Sequence, residues 1–144
     1  MTLAVLTPRE ASIFACLCDT VVAPGEALPP VTGTDAVAFF DFWLDRSPRL
    51  NRAGLRVLLY ATELAPRLLG FGGRLRSLPE VERAAALHRM ERAGTPQIRQ
   101  LAKALKGLAF LSYYGDDAIM LRLGYDAGER VRVGDRLRMA EARP

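Results

Sequence analysis

The chain has few of the side chains that metal centres and nucleophilic catalysts need. Its 144 residues include one histidine, His88, and two cysteines, Cys16 and Cys18. This set is too small for the four-ligand shell of a structural zinc site. If the segment around the cysteines is helical, Cys16 and Cys18 project about 200° apart and cannot bridge each other. We expect both to be small buried hydrophobic residues, with a free thiol or an intermolecular disulfide as the alternatives.

Long apolar runs are also missing from the sequence. No stretch offers 18 uncharged apolar residues, so we predict no direct membrane insertion. The N-terminus has neither a basic region nor a twin arginine, which predicts a cytoplasmic protein unless a signal-bearing partner exports the folded chain. Half of the residues are hydrophobic and a quarter are charged. This composition and length are typical of one globular domain.

Lysine is scarce, occurring only at Lys103 and Lys106, so 18 of the 20 basic residues are arginine. The formal net charge is +4 and the pI is about 9.5. The arginines extend from Arg9 to Arg143 and are interleaved with Asp and Glu, whereas nucleic-acid binders more often concentrate basic charge on one face. We therefore expect a solvated, arginine-rich surface with some interface anchors and no nucleic-acid partner. A nucleic-acid-associated module is the alternative that the pI favours.

Cap signals and apolar spacing predict six helices. Residues 7–10 (TPRE) form a capping box with proline at the first helical position. Thr34, Ser47-Pro48 and Thr95-Pro96 mark three further helix starts. The predicted helices cover residues 8–22, 35–46, 48 through Leu64, 79–93, 96 to about 111, and 117–123. Pro66 is expected either to kink the third helix or to end it. We expect an all-α, compact bundle of five to six helices over residues 1–126 and a polar C-terminal tail over 127–144.

Motifs for catalysis are weak. The glycine run at 70–73 (GFGG) lacks the third glycine of a dinucleotide fingerprint, where Leu75 stands, and follows a predicted helix instead of a strand. His88 lies in a charged helix and is expected to be a surface or packing residue. Asp116 and Asp117 are adjacent, so they do not face each other on a helix and are better placed to cap one. A stand-alone enzyme using these three side chains is the alternative.

The aromatic residues are more informative, and core packing and a binding surface are the two explanations for them. Four of them crowd the second helix: Phe39, Phe40, Phe42 and Trp43. They cover most of the helix circumference, so at least one must face another segment or a partner chain. The same helix carries Asp41 and Asp45 and lacks a basic face, which disfavours a membrane-surface helix. Tyr113, Tyr114 and Tyr125 bracket the last predicted helix with hydroxyls that need partners if buried.

In the order and spacing of its motifs the chain resembles the small "subunit 3" of gluconate 2-dehydrogenase-type flavoenzymes. The matching segments are 6–10 (LTPRE), 17–24 (LCDTVVAP) before a proline-rich loop, 111–116 (LSYYGD) and 121–126 (LRLGYD). The resemblance spans roughly residues 6–126, and a similar segment precedes the catalytic part of some long-chain alcohol oxidases. Many relatives begin with a twin-arginine signal, which this sequence does not show.

The resemblance implies a heteromeric complex. In that family the small helical subunit associates with a large FAD-dependent oxidoreductase of the glucose–methanol–choline type, sometimes with a cytochrome subunit. The large subunit holds the FAD and oxidises an alcohol group, and the small one supports its folding, stability or export. We therefore expect no catalytic, cofactor or metal site in this chain.

Five aromatic residues are the predicted partner contacts. Phe42 and Trp43 are large anchors of the kind that dominate interfaces. Tyr113, Tyr114 and Tyr125 belong to the segments that carry the resemblance.

Overall fold

The structure is a computed structural model and describes residues 3–25 and 27–141. Within these ranges all the regular structure is helical, which confirms the predicted all-α fold. Two short 3-10 turns, Val31–Gly33 and Leu75–Ser77, lie in the connections. The α-helices are α1 (Pro8–Val22), α2 (Ala36–Arg46), α3 (Arg49–Leu68), α4 (Glu80–Glu91), α5 (Pro96–Tyr114), α6 (Asp117–Arg122) and α7 (Ala127–Glu141).

The C-terminal segment differs from the expected tail in being helical. Residues 127–141 form α7, so the described chain has seven α-helices where five or six were predicted. The described side chains of α7 are mostly exposed, including Val131 and Val133. The segment is mostly polar and Val131-Arg132-Val133 alternates, so the sequence pattern favoured a tail over a helix.

Helix α1 lies at the centre of the bundle. It packs against α2, α3, α4 and α5, and Ile13, Phe14 and Leu17 are fully buried. Residues three and four apart share one face of a helix, so this spacing directs all three side chains into the core. The ring of Phe14 stacks on Phe40 of α2 with centroids 4.0 Å apart. The core therefore forms around α1.

The capping box at the start of α1 is confirmed. The Thr7 hydroxyl accepts from the Glu10 backbone N–H at 3.3 Å, and the Glu10 carboxylate accepts from the Thr7 N–H at 2.8 Å. Glu10 is 3% exposed and also pairs with Arg56 of α3 at 3.3 Å. Glu10 therefore both caps α1 and links α1 to α3.

Other boundaries differ slightly from the prediction. The Ser47 hydroxyl donates to the Trp43 carbonyl at the end of α2 instead of capping α3, which begins after Pro48. Asp35, not Thr34, is the residue before α2. Pro66 lies within the last turn of α3, which ends two residues later at Leu68.

The N-terminal segment is fastened by a buried carboxylate that the sequence reasoning did not single out. Asp41 on α2 is 5% exposed and accepts from the backbone N–H groups of Ala4 at 2.6 Å, Val5 at 3.0 Å and Leu6 at 2.7 Å. Burial alone would raise the pKa of Asp41, but the three N–H donors outweigh it and the pKa lies below its ordinary value. The Val5 carbonyl accepts from Arg56.

We predict that Asp41→Asn lowers the free energy of unfolding by about 2 kcal/mol, because an amide removes the charge that these N–H groups stabilise. Urea denaturation measures this loss. The matched control is Asp45→Asn on the same helix, where the side chain is 49% exposed and the expected change is within about 0.5 kcal/mol. Equal effects of the two substitutions would contradict the anchoring role.

The contribution of Asp41 to the free energy of unfolding should also depend on pH. Because the pKa of Asp41 is lower in the folded chain, its charged form stabilises the fold above the unfolded-state pKa of about 3.9. That contribution is lost as the pH falls through the folded-state pKa. The stability difference between wild type and Asp41→Asn should therefore shrink below about pH 4, as urea titrations at several pH values would show. A difference that stays constant would mean that Asp41 is not the group responsible.

Candidate functional site: a groove between the proline-rich loop, α2 and the α5–α6 turn

Four of the five predicted contact residues are at the surface. Phe42 is 54% exposed, Trp43 40%, Tyr125 47% and Tyr114 36%. The helix circumference argument is confirmed: of the four α2 aromatics only Phe40 is fully buried. Phe42 also has the Arg46 guanidinium 3.4 Å from its ring centroid, on the same face one turn away. The α2 surface therefore presents large rings to solvent.

Tyr113, the fifth predicted contact, is completely buried and offers no surface to a partner. Its hydroxyl donates to the Pro29 carbonyl at 2.6 Å, and its ring meets Tyr114 edge-on, with centroids 5.2 Å apart. Burial raises the pKa of Tyr113, with smaller contributions from its neighbours Tyr114 and Asp116. Tyr113 is a core residue that ties the end of α5 to the proline-rich loop.

Asp116 makes a second tie between the same regions. One carboxylate oxygen accepts from the N–H groups of Ala118 at 2.8 Å and Ile119 at 3.2 Å, which confirms the predicted capping of α6. The other accepts from the Asp35 N–H at the start of α2, at 2.9 Å. These hydrogen bonds hold the pKa of Asp116 below its ordinary value, although burial acts to raise it. The largest contribution comes from the Asp35 N–H.

These ties border an open groove of about 1000 Å³. The proline-rich loop forms one wall, the first turns of α2 another, and the α5–α6 turn the third. Its lining includes Pro29, Phe39, Phe42, Ser112 and Asp116. The aromatic side chains of this groove offer apolar contact area to another protein segment. The carboxylates and the loop backbone beside them offer hydrogen bonds.

Ser112 stands out within the groove lining. It is fully buried, and its hydroxyl has no hydrogen-bond partner in the described part of the chain. A buried hydroxyl without a partner is costly, which makes Ser112 an unusual residue in the wall of the groove. The sequence reasoning missed Ser112, although it lies in the 111–116 segment that carries the resemblance.

Two smaller recesses share lining residues with the groove. Phe42 also lines a recess with Asp45 and Arg46, and Asp117 also lines a recess that contains Tyr125. Phe42 is thus a predicted contact residue in the groove itself, whereas Tyr125 lines a separate recess. Trp43 and Tyr114 are exposed but do not line the groove.

The structure does not bring together the residues of the stand-alone enzyme hypothesis. Asp116 and Asp117 line the groove, whereas His88 lines a different recess between α1, α4 and α5. His88 lies on exposed α4 surface, with Nδ1 3.8 Å from Glu91. A general base must be within hydrogen-bond reach of the group it activates, and this placement does not give His88 that relation to either aspartate.

The cysteines are free thiols. Cys18 is fully buried, as predicted, and burial followed by the neighbouring Asp19 raises its pKa to about 12. Cys16 is half-buried and lies 3.3 Å from an Arg83 guanidinium nitrogen, yet burial dominates and its pKa is also raised. Neither thiol has the lowered pKa of a reactive cysteine.

Among the described residues, no group of three or more His, Cys, Asp or Glu side chains is arranged to hold a metal ion. In residues 3–25 and 27–141, no helix has both the length and the apolar character needed to cross a bilayer.

Comparison of the chain with known protein families, with characterised proteins and with solved structures finds no match.

Tyr113→Phe should lower the free energy of unfolding by about 1 kcal/mol, because the Pro29 carbonyl loses its buried donor. Tyr114→Phe is the matched control: its ring is partly exposed and the expected change is within about 0.5 kcal/mol. Thermal and urea denaturation of both variants make the comparison. If Tyr114→Phe lowered the free energy of unfolding more than Tyr113→Phe, the Tyr113–Pro29 hydrogen bond would not be the contact that stabilises the proline-rich loop.

Proposed function

We propose that this chain is a non-catalytic small subunit that binds and stabilises a large FAD-dependent alcohol or sugar oxidoreductase and aids its folding or assembly. FAD would belong to the large subunit, with a cytochrome subunit as a further possible component. The observation that carries the proposal is where the resembling segments lie. The 111–116 segment and the loop after the 17–24 segment meet at the groove, joined by the Tyr113–Pro29 and Asp116–Asp35 hydrogen bonds.

The geometry supports a protein partner in a second way. Three features lie along the groove. The backbone of the proline-rich loop and of the start of α2 is held by hydrogen bonds to Tyr113 and Asp116. Ser112 has a buried hydroxyl with no partner in the described part of the chain, and Phe42 has an exposed ring. Large aromatic residues in a polar setting are the usual anchors of protein interfaces. We expect the large subunit to insert a segment here against Phe42, and to contact Trp43, Tyr114 and Tyr125 on exposed surface outside the groove.

The pairing of the arginines favours this proposal over a nucleic-acid-associated module. Arg56 pairs with Glu10, Arg76 with Glu63 at 3.0 Å, and Arg83 with Asp19 at 3.6 Å. These guanidinium groups are bound to carboxylates within the fold, so they are not free to contact phosphates. A nucleic-acid binder would instead show affinity that falls steeply with salt, because phosphate contacts release counterions.

The proposal is tested by purifying the tagged full-length chain from its native cells. We expect a near-stoichiometric larger protein and the yellow absorbance of an oxidised flavin in the same fraction. The purified complex would then be screened against alcohols, sugars and sugar acids. A colourless chain that elutes alone at every salt concentration would overturn permanent association with a flavoprotein.

In that complex, the double change Phe42→Ala and Trp43→Ala should weaken retention of the large subunit by about tenfold or more, because truncating interface anchors costs more than about 1.4 kcal/mol. The control is Val81→Ala on α4, an 81% exposed residue away from the groove. Retention is measured by quantitative co-purification, with melting curves to show that each variant folds. Unchanged retention in the double variant would remove α2 from the interface.

A further inference from the structure

Helix α3 has a second apolar face, opposite the one buried in the bundle. Its inner side includes Leu59 and Thr62, which are at most 1% exposed. Its outer side carries large hydrophobic residues at spacings of seven, seven and four, which place them on one side of the helix. These residues and their exposed fractions are Leu50 (83%), Val57 (69%), Leu64 (43%) and Leu68 (87%).

Small residues fill the positions between these side chains. Ala53, Gly54 and Ala61 are all exposed and lie on the same side of α3. The outer face is therefore apolar along a helix of about 30 Å. Single exposed leucines are ordinary in soluble proteins, but a contiguous apolar stripe of this length is typical of an interaction surface.

Gly54 leaves space within the stripe. A Cβ added at Gly54 would meet nothing within 4 Å, and no positive φ requires glycine there. The same is true of Gly107 inside α5, so glycine alone does not mark a contact. At the stripe, the missing Cβ would allow another backbone to approach α3 closely.

The border of the stripe is basic. Arg49 and Arg67 are eighteen residues apart, which is five helical turns, so they project along the same edge. Both are exposed, and neither guanidinium has an ion pair or hydrogen bond within the described part of the chain. The single acidic residue of α3, Glu63, is buried and bound to Arg76. A second copy of this helix would bring no carboxylate to meet those arginines.

We infer that the outer face of α3, defined by Leu50, Val57, Leu64 and Leu68 with Gly54 at its closest approach, docks an amphipathic helix of a partner protein whose apolar stripe is bordered by carboxylates. Apolar area gives such a contact between two helices its affinity, and the arginine edge favours an acidic partner. The inference rests on the proposed function in assuming a protein partner, and it adds a surface separate from the groove.

The test places a photo-crosslinking amino acid at position 57 of the full-length chain in its native cells, and in a control at position 81. Val57 and Val81 are both exposed helical valines, at 69% and 81%. We expect an adduct at position 57 at least about tenfold more abundant than at position 81. Mass spectrometry should map it to a helical segment with apolar residues at three- and four-residue spacing and Asp or Glu on its borders.

A charge reversal completes the test. Arg67→Glu should reduce the position-57 adduct about tenfold or more, since it sets like charges against the acidic border. Arg92→Glu, an exposed arginine at the end of α4, should leave it unchanged, with melting curves confirming that both variants fold. An adduct with a second copy of this chain would overturn the inference. So would an adduct with a segment that has no carboxylate border, or equal yields at positions 57 and 81.

The same experiment separates this inference from the proposed function. If a flavoprotein co-purifies but position 57 yields no adduct, the α3 surface is wrong and the subunit role stands. If position 57 captures an acidic-bordered helix but no flavoprotein co-purifies with the chain, the docking surface stands and the flavoenzyme partner is wrong.

Discussion

The burial of α1 is the constraint on which the rest of the structure depends. This helix packs against α2, α3, α4 and α5 at once, so its polar groups must find partners inside the protein. Glu10 is the demanding case, because a buried carboxylate without a partner costs several kcal/mol. It is bound by the Thr7 backbone N–H and hydroxyl and by Arg56. Helix α3 is thereby held beside the start of α1.

That requirement explains part of the arginine content. Arg56, Arg76 and Arg83 reach from α3, the Leu75–Ser77 turn and α4 to carboxylates on α1 and α3. Arginine suits this role because its charge is permanent and its planar fork donates several hydrogen bonds at once. The arginines therefore divide into two sets. Some join helices to one another, and others, such as Arg49 and Arg67, are exposed and have no ion pair or hydrogen bond within residues 3–25 and 27–141.

The parts of the fold that could be predicted are those determined by residues close in sequence. The Thr7–Glu10 capping box and the Asp116 cap each act within three residues, and apolar spacing identifies the buried face of α1. The contacts that could not be predicted join distant residues: Asp41 with the N-terminal segment, 35 to 37 residues away, and Tyr113 with Pro29, 84 residues away. Aromatic crowding located Phe42 and Trp43 as exposed rings, but nothing local distinguished Tyr113 from Tyr114.

Asp41 could have been predicted, from its neighbours on α2, to be buried. It lies next to Phe40 and three residues before Leu44, both fully buried, so its position on α2 belongs to the inward face. A carboxylate on an inward face must be paired with donors, and the unpaired N–H groups of an extended N-terminal segment are such donors. The same logic, reversed, applies to the outer face of α3. There, apolar residues and Gly54 occupy exposed positions that make no contribution to the core of the bundle. We attribute them to contact with another protein.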